Sequence, residues 1–191
     1  LGDVAIDSAT PTTDFGTWTG LQFGTDGARA MAFLMKWGIV SIPAGATIRK
    51  ATLQLYEQEH YMESADTYRV DFFHVYDYPD YNIAGQPWFE GGQNGGACTG
   101  NELCWATRPI MGSQMNLIAS NSQNLAAPPS AIFLNFDVTN ILQEAVNMGE
   151  KDVTIFVSAE KLTTDGGLDQ VFFRSKEIGG SLVPQLTIQY Y

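Results

Sequence analysis

Five aromatic side chains in one Gly-rich stretch are the residues of this sequence best suited to contact a ligand or a partner. Tyr and Trp rings offer flat apolar faces with a polar atom at one end, which suits stacking on a sugar ring or packing in a protein interface. The same rings would also serve as a small satellite core that holds the stretch down. The sequence leaves these three interpretations open for Tyr78, Tyr81, Trp88, Phe89 and Trp105.

Cys98 and Cys104 are the only cysteines, and they lie in the same stretch with five residues between them. This spacing allows a small-loop disulfide, two free thiols or half of a metal site. A zinc site would need two further ligands, and His60 and His74 are the only histidines. We therefore expect a disulfide, and with it an oxidising, extracellular location.

The sequence gives little support to a catalytic site. Neither histidine has an evident Ser-Asp or Cys partner, so a hydrolase triad is not indicated. We expect His74 to pack inside a strand and His60 to lie at the surface. Paired carboxylates for glycoside hydrolysis depend on a three-dimensional spacing that the sequence does not give. We expect no enzymatic activity and no catalytic residues.

The 21 acidic residues supply the hard oxygen ligands that a structural calcium ion would need. No D-x-D-x-D-G loop assigns such ligands, and the nearest local cluster, Asp165 to Asp169, is also typical of an ordinary turn. We expect no other cofactor.

The charge balance narrows the class of partner. Ten Lys and Arg stand against 21 Asp and Glu, giving a formal charge of −11, and the basic residues form no stripe. Nucleic acid is therefore not an expected partner.

No apolar run approaches the roughly 20 residues of a membrane-spanning helix, so we expect no membrane insertion. The absence of an initiator Met and of a signal-peptide pattern at Leu1 fits a processed chain, and an artificially trimmed chain would look the same.

Alternating apolar and polar residues recur along the chain and predict a mostly antiparallel all-β fold, a jelly-roll-like β-sandwich. The length of 191 residues suits a single domain over 1–191, with a long aromatic and Gly-rich insertion at about 77–109. The predicted strands are Gly2 to Asp7, Met31 to Trp37, Ala51 to Glu57, Tyr68 to Tyr76, Ala131 to Phe136, Asp152 to Ser158, Gln170 to Arg174 and Gln185 to Tyr191.

Three segments depart from the strand pattern. Residues 138, 141, 142, 145 and 146 are apolar, which is the stripe of a short amphipathic helix near 138–148, with Asp137 as its N-cap and Gly149 as its stop. The segments from Asp77 to Pro109 and from Gly112 to Ser130 are too long and irregular for ordinary turns. Pro43 and Gly45 mark a tight turn before the third strand.

Several short motifs, in this order and spacing, resemble the DNRLRE-domain family of extracellular β-sandwich modules, which are related to disaggregatase repeats and to some carbohydrate-binding modules. The resemblance runs nearly end to end. It implies a secreted or surface-exposed, non-catalytic module of the kind attached to polysaccharide-active enzymes or cell-envelope proteins. The similar motifs are IDSATPTTDFG from Ile6, SIPAGATI from Ser41, ATLQLY from Ala51, WATRP from Trp105, FDVT from Phe136, FRSKE from Phe173 and PQLTIQY from Pro184.

Two functions follow from these expectations. In the first, the chain is a structural or adhesive subunit of a cell-surface filament, sheath or envelope layer, and it binds copies of itself through β-sandwich contacts such as strand addition. In the second, it is a carbohydrate-binding module whose insertion aromatics stack on a polysaccharide.

Overall fold

The computed structural model describes residues 2–26, 29–61, 67–75, 92, 94–99, 102–107, 115–127, 131–162 and 169–191. One α-helix, α1 (Thr139–Met148), and short 3₁₀ helices at Trp105–Thr107, Lys176–Ile178 and Gly180–Leu182 accompany the strands in this part of the chain. The strands are β1 (Gly2–Asp7), β2 (Thr13–Asp14), β3 (Gly20–Asp26), β4 (Arg29–Gly38), β5 (Ile48–His60), β6 (Thr67–Val75), β7 (Gly96–Ala97), β8 (Met115–Ala126), β9 (Phe133–Asp137), β10 (Asp152–Lys161), β11 (Asp169–Arg174) and β12 (Gln185–Tyr190).

Ten of the twelve described strands form one large antiparallel sheet that curls until it is nearly closed, and β2 and β7 form a separate pair. Its order is β12-β5-β11-β3-β4-β10-β6-β8, with β1 paired to β4 and β9 paired to β5. Strands make up more than half of the described residues, and a single short α-helix accompanies them there. The predicted all-β class is therefore confirmed, in a sandwich-like or barrel-like form. No helix in the described residues is long and apolar enough to cross a membrane.

The main core lies inside the curled sheet, because each strand turns every second residue inwards. Leu53 and Leu55 of β5 are fully buried there, as are Val153 and Ile155 of β10. Helix α1 closes this core with the apolar stripe predicted from the sequence, namely Ile141, Leu142, Ala145 and Val146.

A second, smaller core lies on the opposite face of β1, β4, β6 and β10. Leu34 and Phe156 point into it, whereas their neighbours Phe33 and Val157 point into the main core. These strands are thus buried on both faces. Leu103 belongs to this second core, so part of the predicted insertion packs against the outside of the sheet.

The sequence predicted the C-terminal end of α1 correctly, but not its N-cap residue. Gly149 adopts a left-handed conformation with φ 71° and stops the helix, which glycine does at little steric cost. At the other end Val138, not Asp137, occupies the N-cap position. The Asp137 carboxylate nevertheless accepts hydrogen bonds from the Thr139 amide at 2.9 Å and hydroxyl at 2.6 Å, so it caps from one residue further out.

The predicted turn before β5 is confirmed. The Ala46 amide donates to the Pro43 carbonyl at 3.1 Å, and Gly45 has φ 79°, a backbone region that side-chain-bearing residues rarely adopt.

The prediction of an irregular segment from Gly112 to Ser130 is wrong for residues 115–126, which form β8. This segment is rich in Ser and Asn, which have a low intrinsic preference for strands. Pairing with β6 over most of its length overrides that preference. Strand β3 was likewise not predicted, and it is held between β4 and β11.

Candidate functional site

The structure describes one of the five aromatic residues predicted as a binding site. Tyr78, Tyr81, Trp88 and Phe89 lie outside the described residues. Trp105 stands in the 3₁₀ helix at Trp105–Thr107, is partly buried, and packs against the second core. A satellite core would place Trp105 in this way, and a binding role for the five aromatic residues stays a prediction.

Backbone hydrogen bonds fasten this part of the insertion to the turn after β1. The Cys98 amide donates to the Thr12 carbonyl at 2.7 Å, and the Ala106 amide donates to the Pro11 carbonyl at 2.8 Å. The short strands β2 and β7 pair with each other beside these contacts. The segments 95–98 and 102–107 therefore form a layer over the sheet.

Cys98 and Cys104 are free thiols in the structure, so the predicted disulfide is not formed there. The Cys98 thiol donates to the Glu102 carbonyl at 3.1 Å, and the Cys104 sulfur lies 3.5 Å from the Thr107 hydroxyl. Burial raises the pKa of Cys98 to about 12, and the neighbouring Cys104 sulfur adds to this effect. The two sulfurs thus lie close enough to influence each other, as the spacing in the sequence suggests.

Each histidine contacts a carboxylate at the edge of the core. His74 is fully buried in β6, as predicted, and its Nε2 lies 2.8 Å from a Glu150 carboxylate oxygen. His60 is not at the surface as expected: its side chain is 16% exposed, and Nδ1 lies 3.0 Å from the buried carboxylate of Glu57. The cause is a bulge in β5 after Glu57, which directs both residues towards the end of the core.

A metal site is not apparent in the described part of the chain, where no three His, Cys, Asp or Glu residues cluster. Asp165, at the start of the acidic cluster considered for calcium, lies outside the described residues, as does the side chain of Asp169. The calcium expectation stays untested.

Strand β12 is an edge strand with an unusual composition. Within the described residues it pairs with β5 alone. Its sequence, QLTIQY, contains no charged residue, no Pro and no Gly. Natural edge strands generally carry such residues, because an unprotected edge can pair with another chain. The one irregularity is a register shift at its end, between Gln189 and Tyr190.

The register of β5 fixes which backbone groups of β12 face outwards. The Ala51 carbonyl accepts from the Val138 amide at 3.0 Å, so the backbone of Ala51 is directed towards β9. Ile188 lies opposite Ala51. In an antiparallel pair, hydrogen-bonded and non-hydrogen-bonded positions alternate, so the amide and carbonyl of Ile188 point away from β5. The same holds for Leu186, two residues earlier, and these groups form the outer edge of β12.

Two exposed tyrosines extend this edge. Tyr190 is 44% exposed and Tyr191 is 81% exposed. Reciprocal backbone hydrogen bonds between Tyr191 and Thr47, at 3.0 and 3.2 Å, fix their position. Large apolar side chains held at a strand edge are typical of contact surfaces.

An open groove of about 420 Å³ lies on the outer face of the sheet beside this edge. We call it the polar groove. Register explains its composition, because Lys50 lies opposite Gln189, Thr52 opposite Thr187, and Gln54 opposite Asn135. The amide of Gln54 donates to the Asn135 side-chain oxygen at 2.6 Å. Its lining residues are Lys50, Thr52, Gln54, Asn135, Thr187 and Gln189.

An aromatic pair continues the same face. Tyr56 and Phe133 lie opposite each other two residues beyond Gln54 and Asn135, with ring centroids 5.2 Å apart and planes at 75°. The Arg174 guanidinium lies 5.5 Å from the centre of the Tyr56 ring, which is a cation–π contact. The face thus runs from polar side chains to an aromatic end.

The polar groove was not predicted from the sequence. The alternation of Lys50, Thr52 and Gln54 with buried apolar residues is a readable signal that these side chains face outwards. Whether they line one groove together with Asn135 and Thr187 depends on which strands pair, and strand pairing is a property of the tertiary structure.

Comparison with protein-family models and with curated protein sequences finds no match for this chain. The resemblance to the DNRLRE-domain family accordingly stays a prediction.

Proposed function

We propose that this chain is a non-catalytic structural subunit of an extracellular, cell-surface assembly, and that copies associate by strand addition at β12. The observation that carries the proposal is the outer edge of β12, an uncharged strand of six residues whose outward backbone groups pair with no other described strand.

The physical reason lies in the backbone groups at Leu186 and Ile188. A strand from a second copy would bond to them and extend the sheet, as in other complexes formed by strand addition. Tyr190 and Tyr191 would add apolar contacts at the end of the strand. The net charge of −11 opposes close approach of two copies, so association should strengthen as salt screens that repulsion.

A matched pair of variants tests the edge. Ile188→Pro removes the outward amide and leaves the ladder with β5 intact, since Pro is tolerated where the amide faces away from the sheet. Ile188→Ala shortens the side chain but keeps the amide, and it is the control. We expect wild type and Ile188→Ala to form assemblies in light scattering and negative-stain images, and Ile188→Pro to stay monomeric.

The proposal would be overturned by a wild-type chain that is monomeric at all concentrations, or by a folded Ile188→Pro variant that assembles like wild type. Circular dichroism of each variant establishes that it is folded.

Because we propose an extracellular location, we also propose that Cys98 and Cys104 form a disulfide in the native protein. In an oxidising compartment, a small disulfide oxidant would accept two electrons and two protons from Cys98 and Cys104, forming one disulfide and two reduced thiols. The closed loop would hold Leu103 and Trp105 against the second core. Mass spectrometry of the native protein tests this, since the disulfide form is two hydrogens lighter and does not react with thiol reagents.

A further inference from the structure

We propose that the polar groove binds a neutral polysaccharide, in addition to the association proposed for the edge of β12. This site differs from the insertion aromatics, and its chemistry comes from side chains on β5, β9 and β12. The proposal does not depend on assembly.

The first support is the match of hydrogen-bonding groups. Five of the six lining side chains are hydroxyls or primary amides, each of which can both donate and accept. A sugar hydroxyl has the same dual capacity. A groove of Thr, Gln and Asn side chains can therefore satisfy successive hydroxyl groups, and it selects a polyhydroxylated ligand over an apolar one.

The second support is charge. The chain carries 21 acidic residues, yet none lines the groove, and Lys50 is its single charged residue. The nearest carboxylate on β9 is that of Asp137, which lies opposite Thr52, and its Oδ1 accepts both hydrogen bonds from Thr139. One cation in the lining is too little for an acidic polymer, and the single carboxylate beside the groove is too few for a divalent ion. The complementary ligand is uncharged.

The third support is shape. From Lys50 to Tyr56 the face extends six residues along β5, about 20 Å, and it is three strands, or about 10 Å, wide. An elongated face of this size suits several sugar rings in a row. At one end, the Phe133 ring and the part of the Tyr56 ring that the Arg174 guanidinium leaves uncovered offer apolar surface for the C–H face of a sugar.

The fourth support is rigidity. The lining side chains stand on paired strands, and the 2.6 Å hydrogen bond between Gln54 and Asn135 orients both amides before any ligand arrives. Groups held in place lose less freedom on binding, which favours affinity.

The test uses the full chain and soluble hexasaccharides of cellulose, xylan and mannan, with polygalacturonate as an acidic probe. Isothermal titration measures binding to wild type, to the double variant Gln54→Ala/Asn135→Ala, and to Asn124→Ala as a control on the exposed face of β8. We expect at least one neutral hexasaccharide to bind wild type and the control alike. We expect binding about tenfold weaker or lost in the double variant, since two hydrogen-bonding groups are removed.

A second measurement covers the case of an unfolded double variant. Titration of wild type by NMR should shift the side-chain amide signals of Gln54 and Asn135. Three results would overturn the proposal: no neutral probe binds, only polygalacturonate binds, or a neutral probe binds without affecting the double variant or these signals. Loss of assembly in the double variant, without glycan binding by wild type, would instead assign the groove to a contact between copies.

Discussion

Gln123 of β8 binds the backbone of Asp137 in β9 through both ends of its side-chain amide. Its oxygen accepts from the Asp137 amide at 3.1 Å, and its nitrogen donates to the Asp137 carbonyl at 3.2 Å. The Asn121 side chain donates to the same carbonyl at 2.6 Å. One side chain thus imitates the peptide group of a neighbouring strand and bridges the seam where the sheet is nearly closed.

This relationship predicts a loss of stability in Gln123→Ala. The Asp137 amide loses its partner and the Asp137 carbonyl keeps only the bond from Asn121, and because the seam is solvent-exposed we expect a decrease of about 1 kcal/mol in the free energy of unfolding. Asn124→Ala, at the next position of β8, should change it by less than about 0.5 kcal/mol. Urea denaturation measures both, and equal effects would contradict a specific role for Gln123.

The ion pair between Asp7 and Arg29 predicts a dependence of stability on pH. Burial of Asp7 raises its pKa, but the hydrogen bonds from Arg29 and the Ala9 amide outweigh this and hold the pKa below its usual value. When folding lowers the pKa of a carboxyl group, its ionised form stabilises the folded protein. This stabilisation is fully present at pH values above the pKa of the unfolded chain, and it is lost as the pH falls through the pKa of the folded protein.

We therefore expect Asp7→Asn to lower the free energy of unfolding by about 1 to 3 kcal/mol at pH 7. The difference between this variant and wild type should shrink below about pH 4. Urea denaturation at pH 7 and at pH 3 checks it, and a difference that is the same at both pH values would contradict the ion pair as its source.

The raised pKa of Cys98 predicts low reactivity in the reduced, folded protein. With a pKa of about 12, Cys98 holds very little thiolate at pH 8, and the thiolate is the reactive form. We expect its alkylation by iodoacetamide to be roughly a hundredfold slower or more than in the denatured chain. The contribution of the neutral Cys98 thiol to the free energy of unfolding is fully present below the pKa of the unfolded chain. It is lost as the pH rises towards 12.

Mass spectrometry of the Cys104→Ser variant isolates the reaction of Cys98. Removing the neighbouring sulfur should speed alkylation, since one cause of the raised pKa disappears. An unchanged rate would assign the effect to burial alone.

The left-handed conformation at the end of α1 predicts that Gly149→Ala is destabilising. Among the described residues, no atom beyond the adjoining backbone lies within 4 Å of the added methyl group, so the cost comes from φ 71°, about 1 kcal/mol. Gly38→Ala is the control, because Gly38 has no such conformation and the added carbon would only touch the Asp152 side chain at 3.5 Å. Thermal unfolding should separate the two variants, and equal melting temperatures would rule out backbone strain.

The strands that the sequence predicted correctly are those whose alternation reflects burial on one face or both. Leu53 and Leu55 alternate with Thr52 and Gln54, and the structure buries the first pair and leaves the second on the outer face. Strand β8 lacked this signal, because its Asn and Ser residues are not typical of strands and only its partner β6 fixes its conformation.

The sequence by itself determined the all-β class, the single amphipathic helix and the closeness of Cys98 to Cys104, because each depends on residues near one another in the chain. The tertiary structure alone decided the polar groove, the outward backbone of Ile188 and the seam at Gln123. These features join residues as far apart as Thr52 and Thr187, which strand pairing brings together. A local pattern tells which way a side chain faces, but the register of distant strands decides which side chains share a face.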